Sequence, residues 1–411
     1  MFDQTALFGA ALGIEEPIYI RAIRFDKEAG ELHIYLDFRA EARFRCSVCG
    51  AEGQPVYDTQ DKTWRHLNFF QYKCYLHFRT PRTNCPECGV HLYTPQWGRK
   101  NSGFTMLFEL LVLTLARSMP VSEIAELVGE HDTLLWRIIR HYVLDAYTRK
   151  DMSGVTKVGI DETSTRKGHN YISVFVDMEK NDVLYCAEGK DSGTIKAFAD
   201  EMSLHSAKPD QITDVSMDMS PAFLSGAAAY LPKAAVTYDK FHVVKILNEA
   251  LDKVRQSEQK KNPLLLKRTR YLWLKNPGNL TAKQQEQLKT LSKENLRTMK
   301  AYQMKLTFQD IYRGTPDIRV ARAAIKKWLS WAVRSRLEPM KAFARMLKSH
   351  MDGVLRYFKS GLTAGASEGM NSRIQYIKRR ARGFRNIRNF IAMIYLDCSA
   401  LNIPAFPTHT K

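Results

Sequence analysis

Two short motifs, Cys46-Ser-Val-Cys49-Gly and Cys85-Pro-Glu-Cys88-Gly, constrain this chain more than any other feature. In each, the two-residue spacer lets both thiolates face one ion, and the glycine lets the backbone turn back tightly. Seven cysteines is an odd number and four fall into these pairs, which suits metal binding in a reducing compartment better than disulfide stapling. The pairs predict one structural Zn²⁺ held by Cys46, Cys49, Cys85 and Cys88 on a β-ribbon, with a redox pair or another ligand set as alternatives. Four thiolates leave no open coordination position, so such an ion holds the fold together and does no chemistry. His66 and Cys74 lie between the knuckles as further candidate ligands, Cys74 reading as a small core residue. Alternation over 18–40, with Glu28-Ala29-Gly30 as a turn, predicts a hairpin, and Phe69 to Phe78 predicts a further strand.

From Phe104 the apolar spacing becomes helical to about Arg117, where Pro120 ends it. Val121 to Val128, a stop at Gly129, and a longer helix capped by Asp132 and running through Tyr147 predict a helix-turn-helix. Its second helix would point Thr133, Arg137, Arg140 and His141 toward a major groove, and an ordinary helical pair is the plainer alternative. The 62 Lys and Arg against 43 Asp and Glu give a formal net charge of +19, which favours a polyanionic partner. Nucleic acid fits best. No apolar run approaches the roughly 20 residues that span a bilayer, and the start lacks the basic region of a signal peptide, so a cytoplasmic protein is expected.

Beyond Thr156 three strands in succession (157–161, 171–177 and 182–188) are followed by a helix from Ser192, a strand from Ile212 to Asp218, a helix from Pro221 and a strand from Ala234 to Tyr238. The order βββαβαβ is that of a ribonuclease-H-like core. Asp161 and Asp218 would end its first and fourth strands, which are neighbours in that topology, so their carboxylates could converge. Crowded carboxylates need cations to coexist, and Mg²⁺ prefers oxygen ligands. Asp177, Asp191, Asp210 and Asp214 read as solvated surface acids. Residues 241–360 are rich in helical pattern, with helices expected over 241–259, 284–308 and 320–350, and Trp328 and Trp331 read as core. Lys378, Arg379, Arg380 and Arg382 form a cationic run that suits a phosphate backbone.

Gly159-Ile-Asp161-Glu162, Ser216-Met-Asp218-Met-Ser, Tyr238-Asp239-Lys240-Phe241-His242-Val243 and Ala364-Gly-Ala-Ser-Glu368-Gly-Met-Asn371 resemble, in order, the motif blocks of DDE-class bacterial insertion-sequence transposases. The resemblance is to the ISL-three family, over roughly residues 40–400. It implies Asp161, Asp218 and Glu368 as catalytic residues and ligands of Mg²⁺ or Mn²⁺, with Asp239 supporting them. Where the family carries an asparagine before the glutamate motif, this chain has Ala364.

The expected fold is therefore multi-domain, α+β and α/β. Residues 1–100 form a hairpin and zinc-binding domain, 101–149 a helix-turn-helix, and 150–240 the first part of a ribonuclease-H-like core. An all-helical insertion over 241–362 follows, and 363–411 returns to the core with the helix of Glu368 and a basic segment. The expected function is a DNA transposase that cuts the phosphodiesters at its element's ends and joins the 3′ hydroxyls to target DNA by two-metal-ion catalysis. DNA would be bound through Arg137, Arg140 and the cationic run, by a homodimer or larger assembly, in the bacterial cytoplasm and on the nucleoid. A structure-selective metal-dependent nuclease and a non-catalytic DNA-binding regulator are the alternatives.

Overall fold

The structure, a computed structural model, describes residues 4–165, 171–314, 317–360 and 365–407, the side chains of 365–368 excepted. Two compact units form, one from the chain up to Ala146 together with the stretch from Asn402, the other from Tyr147–Leu401.

In the first unit, helix α1 (Gln4–Leu12) precedes strands β1 (Ile18–Asp26), β2 (Glu31–Phe38), β3 (Arg43–Phe44), β4 (Gln54–Phe69), β5 (Tyr72–Cys85) and β6 (Gly89–Leu92). They make one sheet in the order β1-β2-β5-β4-β3, with β6 beside β5. The expected hairpin is β1–β2, and Leu32, Ile34 and Leu36 are buried with Trp64, Leu76 and Phe78 on the sheet's inner face. Phe69 to Phe78 is not one strand. β4 ends at Phe69 and β5 begins at Tyr72, with Phe70 in the left-handed region at φ 53°. Phe70 and Gln71 carry none of the usual turn residues, and the first half of β4 is polar, so the alternation reads through the turn.

Three helices follow: α2 (Met106–Ala116), α3 (Val121–Val128) and α4 (Asp132–Thr148). Gly129 closes α3 at φ 70°, a conformation that favours glycine. Asp132 is the first residue of α4 itself and not a cap ahead of it.

The second unit opens with β7 (Lys157–Ser164), β8 (Tyr171–Asp177), β9 (Asp182–Glu188), α5 (Ser192–Leu204), β10 (Asp214–Met217), α6 (Pro221–Tyr230) and β11 (Ala235–Tyr238). The sheet order is β11-β10-β7-β8-β9, with β10 parallel to both β7 and β11. This is the ribonuclease-H-like arrangement. The four acids expected on the surface each have a partner in the fold. Asp177 is buried and accepts from the Glu179 and Lys180 amides, and Asp191 caps α5. Asp210 pairs with Lys233 and Asp214 with Arg356.

The helical insertion contains α7 (Lys240–Gln259), α8 (Pro263–Leu266), α9 (Arg270–Leu274), α10 (Ala282–Leu291), α11 (Arg297–Gly314), α12 (Ile318–Arg334), α13 (Glu338–Ser349) and α14 (Met351–Ser360) around one core. The chain then returns as α15 (Gly365–Arg380) and α16 (Ile387–Cys398). Trp328 is core as expected, its indole N–H donating to the Met304 carbonyl at 2.8 Å, and Trp331 packs partly buried against the same cluster.

Two stretches expected as single helices are each broken. Over 284–308 the break lies between α10 and α11, and over 320–350 it lies at Arg336, φ 60°, just ahead of Pro339 in α13. The first has a tertiary cause. Buried Glu258 of α7 accepts from the Arg297 amide at 2.8 Å and from the Thr298 amide and hydroxyl at 2.7 and 2.6 Å, capping α11 from another helix. Glu258→Ala strands those donors and should destabilise the insertion by about 2 kcal/mol. The denaturant midpoint of tryptophan fluorescence measures this; a midpoint equal to wild type would show that the cap contributes nothing.

Candidate active site

The knuckle cysteines come together where β3, β5 and β6 end or begin. Their four sulfur atoms lie within 4.8 Å of one another, and those of Cys49 and Cys85 are 3.6 Å apart. Tetrahedral Zn–S bonds of ~2.3 Å require sulfurs about 3.8 Å apart, so the cluster fits zinc. The amides of Cys49 and Val48 hold the Cys46 thiol down to about 6, whereas the neighbouring sulfurs help raise Cys49 and push Cys88 up to about 12, the response of crowded thiols that a shared cation would reverse. Cys74 is buried in the sheet core, and His66 is hydrogen-bonded to the Thr105 hydroxyl at 2.9 Å and pulled down to about 4 by burial. Neither joins the cluster. Elemental analysis should find about one zinc per chain. Cys46→Ser with Cys49→Ser should lose it and open residues 40–95 to protease, whereas retained zinc would reassign the ligands.

On α4, Leu135, Ile138, Ile139 and Val143 are buried, which leaves Thr133, Arg137 and His141 exposed and Arg140 partly so. Arg65, itself buried in the sheet, bonds Glu130 at 3.1 Å and the Val128 carbonyl at 3.1 Å, while Lys73 donates to the Gly129 carbonyl at 2.7 Å. These cations satisfy the C-terminus of α3 and fix the turn into α4. Beneath α4, fully buried Glu109 accepts from Arg99, from the Ser102 hydroxyl at 2.7 Å and from the Tyr142 hydroxyl at 2.8 Å.

In the second unit Asp161 lies within β7 and not at its end, because β8 goes on pairing as far as Ser164 opposite Tyr171. The parallel neighbour β10 stops earlier. It pairs Ser216 with Gly159 and ends at Met217, so Asp218, the next residue, falls level with Asp161. Asp161 accepts from the Glu162 amide at 2.7 Å with one oxygen and from the Asn371 side chain with the other. Asp218 accepts from the Ser220 amide at 2.9 Å at the turn into α6. Asp239 caps α7 by accepting from the Phe241 amide at 3.0 Å, and its second oxygen accepts from His242 Nδ1 at 3.0 Å.

Burial raises the Asp161 carboxyl above its usual range, and the Asp239 charge adds to this against the lowering by Asn371, Glu162 and His242. The bond to Asp239 raises the His242 imidazole, with the charges of Asp161 and Asp218 acting in the same sense. Part-buried carboxylate oxygens carrying excess negative charge are a donor set that suits Mg²⁺ or Mn²⁺. Among the described residues, though, the cysteines are the one group of three or more potential ligands placed to share a metal ion. Glu368 belongs to α15, its side chain lying outside the described residues together with Ala364.

The motif blocks contain two residues of the site that motif reading leaves without a role: His242, three after Asp239, and Asn371, three after Glu368. That i, i+3 spacing on a helix was the available signal. The cationic run divides. Lys378 donates to the Ser164 carbonyl at 2.6 Å, and buried Arg380 pairs with Asp397 at 2.7 Å. Arg379 and Arg382 are exposed. Lys378 and Arg380 lie about 200° apart on α15, the one facing β7 and the other α16, so each is held by a different neighbour.

Three family descriptions match consecutive stretches. Residues 42–88 match the zinc-finger of transposase IS204/IS1001/IS1096/IS1165, and residues 94–143 match the helix-turn-helix domain of transposase family ISL3. Residues 158–394 match the ISL3-family domain described as transposase. The transposase for insertion sequence element IS1557 of Mycobacterium tuberculosis is 28% identical, the match covering 95% of this chain and 94% of the relative. The transposase for IS1001 of Bordetella parapertussis is 29% identical, with 91% and 94% covered. Among the described residues no helix is long and apolar enough to cross a membrane. With its catalytic-domain description matched over more than half of the 411 residues, behind a matching zinc finger and helix-turn-helix, the chain belongs to the ISL3 family of insertion-sequence transposases.

Proposed function

We propose that this protein binds the terminal inverted repeats of its own insertion sequence, hydrolyses the phosphodiesters there and joins the freed 3′ hydroxyls to target DNA. The level placement of Asp161 and Asp218 on paired parallel strands carries the reading. These two and Glu368 would hold two divalent cations, which supply activation of the attacking oxygen and stabilisation of the leaving oxygen. The chain's own residues do the positioning. The Glu162 and Ser220 amides and the Asn371 side chain orient the two aspartates while leaving lone pairs free. Asp239 holds His242 beside the carboxylates, where the imidazole offsets part of their charge. Hydrolysis and joining are both in-line displacements at phosphorus, so one site serves both. Two ends must be cut and joined together, so the working form is a dimer or larger assembly in the cytoplasm.

Asp161→Asn, Asp218→Asn and Glu368→Gln keep size and remove charge. Each should reduce cleavage of element-end DNA by orders of magnitude while DNA binding survives, with Mn²⁺ replacing Mg²⁺ and Ca²⁺ supporting binding without efficient turnover. Near-normal cleavage by Asp218→Asn would send the search for the second ligand elsewhere, first to Asp239, and normal cleavage by all three would overturn the site. Sequencing plasmid junctions made by the wild type distinguishes a transposase from a nuclease that cuts without joining. No metal-dependent cleavage at all would leave the regulator.

Arg137 and Arg140 on the exposed face of α4 would read the repeat. The double alanine variant should lose ~1–3 kcal/mol of sequence-specific binding for each bidentate base contact, or a sequence-independent, salt-sensitive amount for phosphate contacts. Binding equal to wild type in a gel-shift titration would move recognition away from α4.

A further inference from the structure

Three side chains of α15 reach β7 in succession. Asn371 donates to Asp161, Gln375 donates to the Thr163 hydroxyl at 2.9 Å, and Lys378 donates to the Ser164 carbonyl at 2.6 Å. Residues 371, 375 and 378 share one helical face, and their partners follow one another along the strand. The other side of α15 is held as well. Arg380 pairs with Asp397 of α16 with both side chains largely buried, and Ile374 and Ile377 are buried in the same helix. A helix gripped along two sides cannot roll or slide by one residue without losing several bonds together. A slide of one residue shifts it by about 1.5 Å and turns it by about 100°. Glu368 stands one turn before Asn371, so the register that Gln375 and Lys378 impose farther along the helix also sets where Glu368 stands relative to Asp161.

We propose that Gln375 and Lys378 are positioning residues for the reaction, clipping α15 to β7 so that Glu368 and Asp161 meet the same cations. The proposal rests on the reading of Asp161 and Glu368 as metal-holding carboxylates. It assigns Lys378 to the strand and not to DNA, since its ammonium donates to the Ser164 carbonyl. Residues that orient metal ligands typically change affinity about 10- to 100-fold when removed.

The test uses the full chain carrying Gln375→Ala with Lys378→Met, measured by electron paramagnetic resonance titration of bound Mn²⁺, by kcat and KM for element-end cleavage, and by DNA affinity over a salt series. The expected result is Mn²⁺ affinity weakened about tenfold or more and a lower kcat, with KM and the salt dependence of DNA binding as in wild type. Lys378→Arg, which keeps a donor for the Ser164 carbonyl, should retain wild-type behaviour. Wild-type Mn²⁺ affinity and kcat in the double variant would overturn the proposal. So would unchanged Mn²⁺ affinity with weaker DNA binding and a salt slope reduced by about one, which would return Lys378 to a phosphate. Asp161→Asn serves as the control. If it binds Mn²⁺ as wild type does, the metal-site reading itself is wrong; if it does not, a wild-type double variant condemns the clip alone. Should the double variant fail to fold, Gln375→Ala alone, which removes no charge, decides by the same Mn²⁺ titration.

Discussion

β7 and β10 run parallel, with Val215 opposite Val158 and Ser216 opposite Gly159, and the rest of the candidate site is arranged around that pairing. Side chains alternate between faces of a strand, so a slip of one residue would send one of the two aspartates to the wrong side of the sheet. Val158, Ile160, Val215 and Met217 are all buried and hold the register through packing. The carboxyl of Asp161 is disfavoured as an anion by its burial and by the charge of Asp239, and the sheet must supply what electrostatics withholds. Local hydrogen bonds lower the cost in part, the Glu162 amide on Asp161 and the Ser220 amide on Asp218. The remaining excess of negative charge is what makes the place suitable for cations.

The same sheet accommodates a large helical insertion without losing that geometry, because both ends of the insertion are tied to it. α7 leaves from Asp239, whose carboxylate both caps the helix and holds His242. α14 comes back against β11 at Gly353, where a side chain would collide with the ring of Tyr238. Arg356 of α14 pairs with Asp214 of β10 at 2.8 Å. The insertion is therefore anchored on the strands beside Asp218, and its internal breaks do not propagate to the site.

What could be read from the sequence was what short-range chemistry determines. The knuckle spacing, the strand and helix order of the core and the stop at Gly129 each depend on a few adjacent residues. Glu368 was reached through the family resemblance, since nothing local links it to aspartates that lie far away in the chain. The features missed have tertiary causes. The break before α11 is made by Glu258 of another helix, and β7 extends past Asp161 because β8 keeps pairing with it. The turn between β4 and β5 at Phe70 carries no signal of its own.

The charge balance was the least specific guide, and the reason is physical. Several of the 62 Lys and Arg face inward, each with an acid, so that these pairs leave the net charge of +19 unchanged but say nothing of a DNA surface: Arg65 on Glu130, Arg99 on Glu109, Lys150 on Asp182 and Arg380 on Asp397. Lys305 is fully buried with its ammonium donating to the carbonyls of Trp273, Leu274 and Lys275, and burial pulls it down to about 8. Burying such charges is expensive, and apolar contacts of the same volume often stabilise more. Apolar faces, however, tolerate sliding and rolling, whereas a buried charge without its partner does not. Arg65 on Glu130 and Arg99 on Glu109 fix the turn and roll of α4, and Lys378 and Arg380 fix the register of α15, so these four inward cations sit at helices whose exact orientation matters to the proposed reaction.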